Sequence, residues 1–456
     1  MRLLIFDMHL GPDGQGVGYG KMLIRMDRAL RLARMTRVPV FFVHPHRSLN
    51  PAIPFLQSDD VAIVPPYGWR ARLLSLFWYA ATPFRIGAPW LSLQRVVAQL
   101  VAGPIYDRLE RATWLPARFR KWLIGRGRVL SYLKRVSYAY GRRSGALWET
   151  RYKTEVVAPL REARQADREP PPVRLALPRA REAPVAAEAA RLGIDACAPL
   201  VTVHVRESGF RTEAGLRQRG WDQVRNADVT TYFDAFAALV KRGYTVVRVG
   251  DRSMTPITCP GVVDFVQIEQ PTAWLEVWCM LRSTFFIGCD SGPAWLAYLL
   301  NVPQLTVNAV HFRDLTRPTD RIICKLARDT VTGRVLSVSE MLNEDFLRNG
   351  FKSRRYEYLD NSPRDIERAV LDMLAVVHGR ERRSSAQDRF NRRLRALEHQ
   401  SALDWSALEG VSVVRRPRGT LSQGFAKRYF LPSSKRVDTT GGPPDASAPI
   451  VMPSDT

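Results

Sequence analysis

The second half of the chain alternates between short apolar runs and segments with the period of an amphipathic helix. The apolar runs cover residues 200–205, 244–249, 284–287 and 304–307, and each has the length of a buried strand. Helical segments lie between these runs, and one of the helices covers residues 230–242. This alternation predicts an α/β domain built on a parallel, doubly wound sheet.

The first 66 residues predict a β-α-β start, with strands at 3–6 and 38–43. The helix between them has apolar residues on one face and arginines largely off it: Met22, Met26, Leu30 and Ala33, against Arg25, Arg28, Arg31 and Arg34. Five glycines between residues 11 and 20 precede this helix, but their spacing is not the G-x-G-x-x-G of a dinucleotide fingerprint. We interpret them as a flexible loop at the top of a sheet.

Pattern and composition together divide the chain into six segments. They are a Rossmann-like part at 1–66, a basic, aromatic helical insertion at 67–164, a linker back to the core at 165–195, the C-terminal α/β domain at 196–378, basic C-terminal helices at 379–430 and a disordered tail at 431–456. The helix after Ser362 has a strong start, with proline next and an early acid.

The charge of the chain narrows the range of partners. Its 456 residues carry a formal net charge of +24, which predicts attraction to nucleic acid, an acidic membrane surface or a phosphorylated substrate. Residues 69–146 hold 15 Lys/Arg and 2 Asp/Glu, interleaved with aromatic side chains. They predict basic amphipathic helices that lie in a membrane interface, or else an insertion whose aromatics pack inward and whose arginines are solvated. No module that reads RNA or DNA accompanies the charge, so nucleic acid is the less favoured partner.

The cysteines and the first residues favour the cytoplasm. Five widely spaced cysteines include no C-x-x-C pair, so neither a zinc site nor a disulfide framework is indicated. Asp7 comes too early for a signal peptide, and no run of 18 uncharged apolar residues predicts a spanning helix. We therefore expect a cytoplasmic protein, peripheral at the inner membrane face if the basic segment binds lipid.

Candidate chemistry falls at the carboxyl ends of the predicted strands, where open α/β sheets bind ligands. His204 and Arg206 end the first strand of the C-terminal domain and point to the same side of an extended chain. Such an arginine can grip a diphosphate with its planar fork of donors and stabilise the charge on that diphosphate as it leaves. The alternative is a structural salt bridge. Glu207 follows as a candidate catalytic carboxylate.

Two further strand ends carry polar groups that could bind the nucleotide or its phosphates. The residues are Arg248, Gly250 and Asp251 after the second strand, and Asp290, Ser291 and Gly292 after the third. In the first set the carboxylate can accept hydrogen bonds from ribose hydroxyls, or it can cap the following turn. The second set can present backbone N–H groups and a hydroxyl to an anion, or it can be only a helix cap.

Several other polar residues are weaker candidates. Arg225 and Asn226 precede the helix at 230 and shape the loop over the site, and Asn308 can bond a ligand or cap its strand. A general base is not identified. The candidates besides Glu207 are Asp7, His9, Asp13, His44 and His46 of the N-terminal segment.

Residues 199–310 resemble the C-terminal domain of GT-B glycosyltransferases of the O-fucosyltransferase-like group, and they are similar to a bacterial family of glycosyltransferase-like sequences. The resemblance is carried by the H-x-R motif at 204–206, the Arg-Asn pair at 225–226 and the run from 243 to 251. The turn at 290–293 also resembles that of the heptosyltransferases, where a similar turn lies at the donor phosphates. A Glu-Ser pair at 207–208 stands where a second basic residue is common in fucosyltransferases.

This resemblance implies a GT-B-like fold with two Rossmann-like domains and parallel sheets, to which the chain adds its basic insertion. Residues 1–66 are then the acceptor side, and residues 196–378 bind the nucleotide sugar. It also implies inverting transfer without metal or cofactor, from a sugar donor that can be GDP-linked to a glycan or lipid-linked acceptor. In that case Arg206 takes the place of a metal at the diphosphate, in keeping with a sequence that has no D-x-D triplet. The alternatives are a non-catalytic anion or nucleic-acid binder on the same fold, and transfer of a non-sugar group such as pyruvate.

Overall fold

The structure is a computed structural model that describes most of the chain outside the basic insertion and the C-terminal tail. The described residues are 4–7, 19–43, 50–65, 69, 71, 73–74, 155–156, 158–165, 170–209, 223–268, 271–312, 315–350, 353–399 and 418–431. Apart from a few positions between 69 and 74, the predicted basic helices lie outside these residues, and so does the predicted tail after Leu431. Across the part that is described, no helix combines the length and the apolar character needed to cross a bilayer.

The N-terminal unit is the expected β-α-β element. Strand β1 (Leu4–Asp7) pairs in parallel with β2 (Val40–Val43), and helix α1 (Tyr19–Thr36) connects them. Two helices then lead towards the main sheet, α2 (Ala158–Gln165) and α3 (Arg179–Arg191).

The main sheet confirms the α/β class. Its strands are β3 (Leu200–His204), β4 (Thr245–Arg248), β5 (Val262–Asp264), β6 (Ser283–Gly288), β7 (Gln304–Ala309), β8 (Arg321–Cys324) and β11 (Thr420–Leu421). All seven run parallel, in the order β11-β8-β7-β6-β3-β4-β5. The strands predicted from apolar runs form its centre, where every residue of β3 and β7 is buried, as expected of a sheet covered on both faces.

Helices and one antiparallel pair complete the C-terminal part. The helices are α4 (Phe233–Val240), α5 (Ala273–Arg282), α6 (Gly292–Leu299), α7 (Val338–Met341), α8 (Glu344–Asn349), α9 (Pro363–Val377), α10 (Ser385–His399) and α11 (Gln423–Tyr429). The pair is β9 (Leu326–Asp329) with β10 (Tyr356–Leu359). Ser362 caps α9 as its sequence predicts, accepting a hydrogen bond from the Asp365 amide. Helices α10 and α11 bury apolar residues in the same core as α4 and α9.

The chain changes direction in the main sheet between β3 and β6. From β3 it moves outward through β4 to β5, and it then returns to β6 on the opposite side of β3 before continuing to β7 and β8. His204 lies opposite Gly288 where β3 and β6 pair. Ligands of doubly wound sheets bind beyond the carboxyl ends of the strands at such a reversal. We call the space beyond the ends of β3 and β6 the switch crevice.

Helix α1 packs alongside α6, and the two helices run in the same direction. A Cβ on Gly20 would lie 2.3 Å from Trp295 Cδ1 near the start of both helices. About two turns further along α1 and one turn along α6, the Tyr298 hydroxyl donates to Asp27 Oδ2 at 2.7 Å. Apolar side chains of α1, β2, α5 and α6 form one hydrophobic cluster. The N-terminal unit therefore shares a core with the helices that cover the main sheet.

The arginines of α1 are less exposed than the helical pattern predicts. Three of them are at most 7% exposed: Arg25, Arg28 and Arg31. Arg31 shows how the structure accommodates such a charge. Its Nε donates to Asp27 Oδ2 at 2.9 Å, its Nη1 donates to the Pro170 carbonyl at 2.9 Å, and its Nη2 donates to the Tyr298 hydroxyl at 3.3 Å. Pro170 and Tyr298 come from distant parts of the chain, which the period of one helix cannot reveal.

Replacing Gly20 with alanine is expected to lower the free energy of unfolding by about 1–3 kcal/mol. In an open helix the same change would stabilise by about 0.5–1 kcal/mol, so a loss would show that the contact with the Trp295 ring prevails. Denaturant unfolding measures the difference. Adding Trp295→Leu should recover part of the loss, and a stabilised Gly20→Ala single variant would contradict the close packing of α1 on α6.

Candidate functional site

Ser291 and His204 meet across the switch crevice. Ser291 is the residue that precedes α6, and its hydroxyl makes no capping hydrogen bond to that helix. Instead, Ser291 Oγ lies 3.0 Å from His204 Nδ1 at the end of β3. Two of the predicted segments, the strand end at His204 and the turn at Ser291, are thus in direct contact where the sheet topology predicts a ligand site.

His204 is held in its neutral form. The side chain is buried, and this burial, together with Arg248 and to a smaller extent Arg206, lowers its pKa from 6.5 to about 4, although Asp251 acts in the opposite sense. A neutral imidazole can share a proton with the Ser291 hydroxyl, but it adds no positive charge for an anion. His204 therefore positions the serine, and any positive charge in the crevice comes from elsewhere.

The burial of His204 predicts a loss of stability in acid. The pKa of His204 in the folded state lies below the unfolded value near 6.5. Its contribution to the free energy of unfolding is therefore fully present above about pH 6.5 and is lost as the pH falls towards 4. This group alone should remove up to about 3 kcal/mol from the free energy of unfolding between pH 7 and pH 4. Urea unfolding of the wild type and of His204→Gln at several pH values tests this. Equal pH dependence in the two proteins would rule out His204 as the cause.

The backbone of Arg206 is fixed on both sides, and its side chain is partly exposed. Its amide donates to Cys289 Sγ at 3.0 Å, and its carbonyl accepts from the Ala227 amide at 3.1 Å. Burial raises the pKa of the Cys289 thiol to about 11, so the sulfur stays protonated at neutral pH. The thiol links the ends of β3 and β6 and holds the main chain of Arg206 beside the turn before α6.

Arg248 and Glu207 belong to a buried ionic network that includes Asp264. Arg248 is fully buried, its Nη2 donates to Glu207 Oε1 at 2.8 Å, and its Nη1 contacts Asp264 Oδ2 at 3.1 Å. Glu207 Oε2 accepts from both the amide and the hydroxyl of Thr255, at 2.8 and 2.7 Å. Arg248 therefore has no access to a ligand. Glu207 already accepts three hydrogen bonds, which makes it a poor general base. The network of Arg248, Glu207 and Asp264 ties the loop after β3 to β4 and β5.

Asp251 and Gly250 form a tight turn after β4. Asp251 Oδ1 accepts from the Ser253 amide at 2.9 Å and also from the Ser253 hydroxyl. A Cβ on Gly250 would lie 2.2 Å from Met254 Sδ, so a larger residue here would displace the end of the Met254 side chain. The structure thus shows the turn-capping alternative for Asp251.

The glycine of the turn before α6 is covered by the N-terminal unit. A Cβ on Gly292 would lie 2.7 Å from Tyr19 Cδ1, at the start of α1. The expected open space for a phosphate at this glycine is therefore occupied by an aromatic ring. Burial raises the pKa of the Tyr19 hydroxyl well above its ordinary value, with a smaller contribution from Glu276, so the phenol remains neutral.

Asp290 lies at the centre of a second polar group, on the β7 side of the crevice. It is 2% exposed, and its Oδ2 lies 3.6 Å from Arg225 Nη1 and 2.8 Å from His311 Nε2. Asn226 follows Arg225 on the same loop, and its backbone carbonyl accepts a hydrogen bond from Lys325 Nζ at 2.7 Å. The Arg-Asn pair is thus brought to the predicted turn.

Asn308 serves the fold. It is fully buried in a left-handed conformation with φ of 54°. Its backbone N–H donates to Asn361 Oδ1 at 2.7 Å, its side-chain Oδ1 accepts from the Asn361 backbone N–H at 2.6 Å, and its Nδ2 donates to the Tyr232 hydroxyl at 3.2 Å. Of its two predicted roles, the structural one is observed.

His311 and Lys325 are site residues that the sequence patterns do not single out. Both follow strands of the main sheet, β7 and β8, and the rule that ligands bind at strand ends could have found them. Four candidates for the general base in the N-terminal segment lie outside the described residues: His9, Asp13, His44 and His46. Within the described ranges, no three His, Cys, Asp or Glu side chains are grouped to hold a metal ion.

Comparisons with known proteins add weak structural likenesses. No protein-family model matches the chain, and no curated protein matches it. It is similar to the dodecameric iron-containing heptosyltransferase TibC of enterotoxigenic E. coli, with 17% identity and a TM-score of 0.29 over 68% of this chain and 58% of that one. It thus spans less than two thirds of the length of TibC.

Two further solved structures show the same degree of likeness. A family 9 glycosyl transferase of Veillonella parvula is 9% identical with a TM-score of 0.31, over 67% of this chain and 80% of that one. The ADP-heptose lipopolysaccharide heptosyltransferase II of E. coli is 14% identical with a TM-score of 0.31, over 67% of this chain and 84% of that one. None of the three is an O-fucosyltransferase, and similarity at this level does not assign the chain to a family.

Proposed function

We propose that this protein is a glycosyltransferase that moves a sugar from a nucleotide diphosphate donor to a cell-envelope or polysaccharide-type acceptor, with inversion and without a metal. The observation that carries the proposal is the contact between His204 and Ser291 over the reversal of the sheet. It brings the H-x-R motif and the serine turn together at the position where doubly wound sheets bind nucleotides.

The crevice offers positive charge to a diphosphate through the guanidinium of Arg206, whose backbone is fixed by Cys289 and Ala227. In this arrangement Arg206 stabilises the leaving diphosphate.

A thermal-shift screen tests the donor class. GDP-, UDP-, ADP- and CMP-linked sugars are offered to the wild type, and the expected result is a higher melting temperature with one nucleotide, lost in Arg206→Ala. Donor hydrolysis and transfer to glycan or lipid-linked acceptors are then measured with that nucleotide. If no nucleotide sugar stabilises the protein and RNA or DNA binds with a steep salt dependence, the non-catalytic alternative is correct.

The location of the enzyme is part of the proposal. We infer a cytoplasmic protein that contacts the anionic inner face of the membrane through residues 69–146, beside a lipid-linked acceptor. Sedimentation with phosphatidylglycerol vesicles, compared with phosphatidylcholine vesicles, tests this contact. Equal sedimentation with both would contradict it.

A further inference from the structure

Helix α5 begins at the level of the switch crevice. Strand β5 ends at the carboxyl edge of the main sheet, and α5 then runs back to the opposite edge, where β6 starts. The helix packs on β3 and β6, the two strands whose ends define the crevice. Its first turn therefore lies beside the carboxyl ends of these strands, and that turn carries the acidic residue Glu276.

Glu276 faces the N-terminal unit. It lies on one stripe of α5 with Ala273 and Met280, since residues three and four apart share a face of a helix. Both of these residues pack in the hydrophobic cluster that α5 shares with α1, β2 and α6. From the other side Asn50, which follows β2 and is 1% exposed, donates from Nδ2 to Glu276 Oε2 at 2.7 Å. The carboxylate is thus anchored where the N-terminal unit joins the main sheet.

Tyr19 relates this carboxylate to the serine turn of the crevice. The Tyr19 ring covers Gly292, the residue after Ser291, because a Cβ on that glycine would lie 2.7 Å from Tyr19 Cδ1. The negative charge of Glu276 acts on the same side chain, since it contributes, after burial, to the raised pKa of the Tyr19 hydroxyl. Glu276 and the turn at Ser291 therefore both lie near this ring, between the proposed acceptor side and the proposed donor side.

The carboxylates at the ends of β3, β4, β5 and β6 have other partners. Glu207 and Asp264 pair with a buried arginine, and Asp290 contacts an arginine and a histidine. Asp251 accepts hydrogen bonds within its own turn. Glu276 differs from all of them. In the part of the chain that the structure describes it makes no ion pair, and its single hydrogen bond, at Oε2, comes from the N-terminal unit.

The surroundings of Glu276 make it a stronger base than an ordinary carboxylate. Burial raises its pKa, although the hydrogen bond from Asn50 acts in the opposite sense. A catalytic base works best when its pKa is close to the pH at which it operates, and enzymes raise the pKa of a glutamate by burial for this purpose. The side chain is only partly buried, so a hydroxyl group and water can reach it.

We propose that Glu276 is the general base of the transfer reaction, a role that rests on the proposed function. The acceptor hydroxyl oxygen bonds to the anomeric carbon of the donor sugar while its proton moves to Glu276 Oε1. The bond between that carbon and the diphosphate oxygen breaks, and its electron pair leaves with the diphosphate. Asn50 holds Oε2 and orients the carboxylate, and water later takes the proton from Oε1.

Glu276→Gln tests the role with little change of shape. The amide oxygen can still accept from Asn50, but glutamine cannot take up a proton. We expect kcat for transfer to fall about 100-fold or more, because a general base contributes at least this factor. The dissociation constant of the donor, measured by calorimetry with the GDP-, UDP-, ADP- or CMP-linked sugar that the thermal-shift screen identifies, should stay at the wild-type value.

Glu188→Gln is the matched control. Glu188 accepts from the Thr272 amide at 2.9 Å, so it contacts the start of the same helix without facing the N-terminal unit's Asn50. This variant should transfer sugar at the wild-type rate. A loss of rate equal to that of Glu276→Gln would show that disturbance of α5, and not loss of a base, causes the effect, and it would overturn the proposal.

Chemical rescue distinguishes a base from a structural residue. Glu276→Ala leaves space for a small carboxylate, so added formate should raise its rate of transfer about tenfold or more and leave the wild-type rate unchanged. Glu276→Asp keeps a carboxylate and should be faster than Glu276→Gln. These two variants also decide the matter if Glu276→Gln does not fold. No rescue by formate, together with an aspartate variant as slow as the alanine variant, would overturn the proposal.

The failure of this role differs from the failure of the proposed function. Transfer by wild type that survives unchanged in Glu276→Gln refutes the base and leaves the glycosyltransferase intact. A parallel loss of donor binding and kcat assigns Glu276 to the structure of the site and also refutes the base. If wild type neither binds a nucleotide sugar nor transfers one, the proposed function is wrong and the role of Glu276 fails with it.

Discussion

Replacing Arg248 with alanine is expected to lower the free energy of unfolding by about 3–5 kcal/mol. The guanidinium is fully buried, and it contacts the carboxylates of Glu207 and Asp264 at 2.8 and 3.1 Å. Truncation would leave two carboxylates without their countercharge, one of them 3% exposed. Removing one partner of a buried ionic network costs more than the network contributes, since the remaining charges stay desolvated. Urea unfolding at neutral pH measures the loss.

The matched control for this prediction is Arg252→Ala, which removes an exposed arginine four residues away. It should change stability by less than about 0.5 kcal/mol. Adding Asp264→Asn to Arg248→Ala should recover part of the loss, because an amide does not require a countercharge. A decrease below about 1 kcal/mol for the Arg248 single variant would mean that the two carboxylates find other partners.

Replacing Arg206 with alanine is expected to reduce the rate of sugar transfer by about 10²–10³-fold, or about 2.7–4 kcal/mol. The side chain supplies positive charge where the diphosphate leaves, according to the proposed function. The backbone contacts of residue 206, with Cys289 and Ala227, do not depend on the side chain. We therefore expect the variant to fold with a melting temperature close to that of wild type. Single-turnover transfer with saturating donor measures the rate.

Arg206→Lys separates charge from geometry at this position. It keeps the positive charge but loses the planar fork of donors, so its rate should lie between those of the wild type and Arg206→Ala. Arg252→Ala again serves as the control for removal of one positive charge. Transfer by Arg206→Ala within about threefold of wild type would exclude the leaving-group role, whatever the identity of the donor.

The centre of the main sheet could be predicted from the sequence, whereas its edges could not. The strands β3 and β7 are buried along their whole length and read as continuous apolar runs. The strand β5 has three residues and β11 has two, too few for any periodicity to be recognised. Strand β11 also reaches the sheet from a distant part of the chain, so its pairing with β8 is a tertiary property.

The candidate site could be located from the sequence, but the direction of its side chains could not. Strand ends place His204, Arg206 and Ser291 together because parallel strands end at one edge of the sheet. Arg248 ends a strand as well, but its side chain turns inward to Asp264, which lies on a strand that the sequence pattern does not show. No sequence pattern indicates His311 either, since its place in the site depends on contact with Asp290.

The packing of α1 on α6 limits how far the N-terminal unit can move relative to the main sheet. Hinge bending that swings the N-terminal unit away from the main sheet would expose the apolar cluster of α1, α5 and α6, at about 25 cal/mol for each Å² of apolar surface. We therefore expect no free rotation between the two, and calorimetry should show the N-terminal unit melting together with the main sheet. Access to the crevice then depends on local loop rearrangement rather than on opening of two rigid lobes.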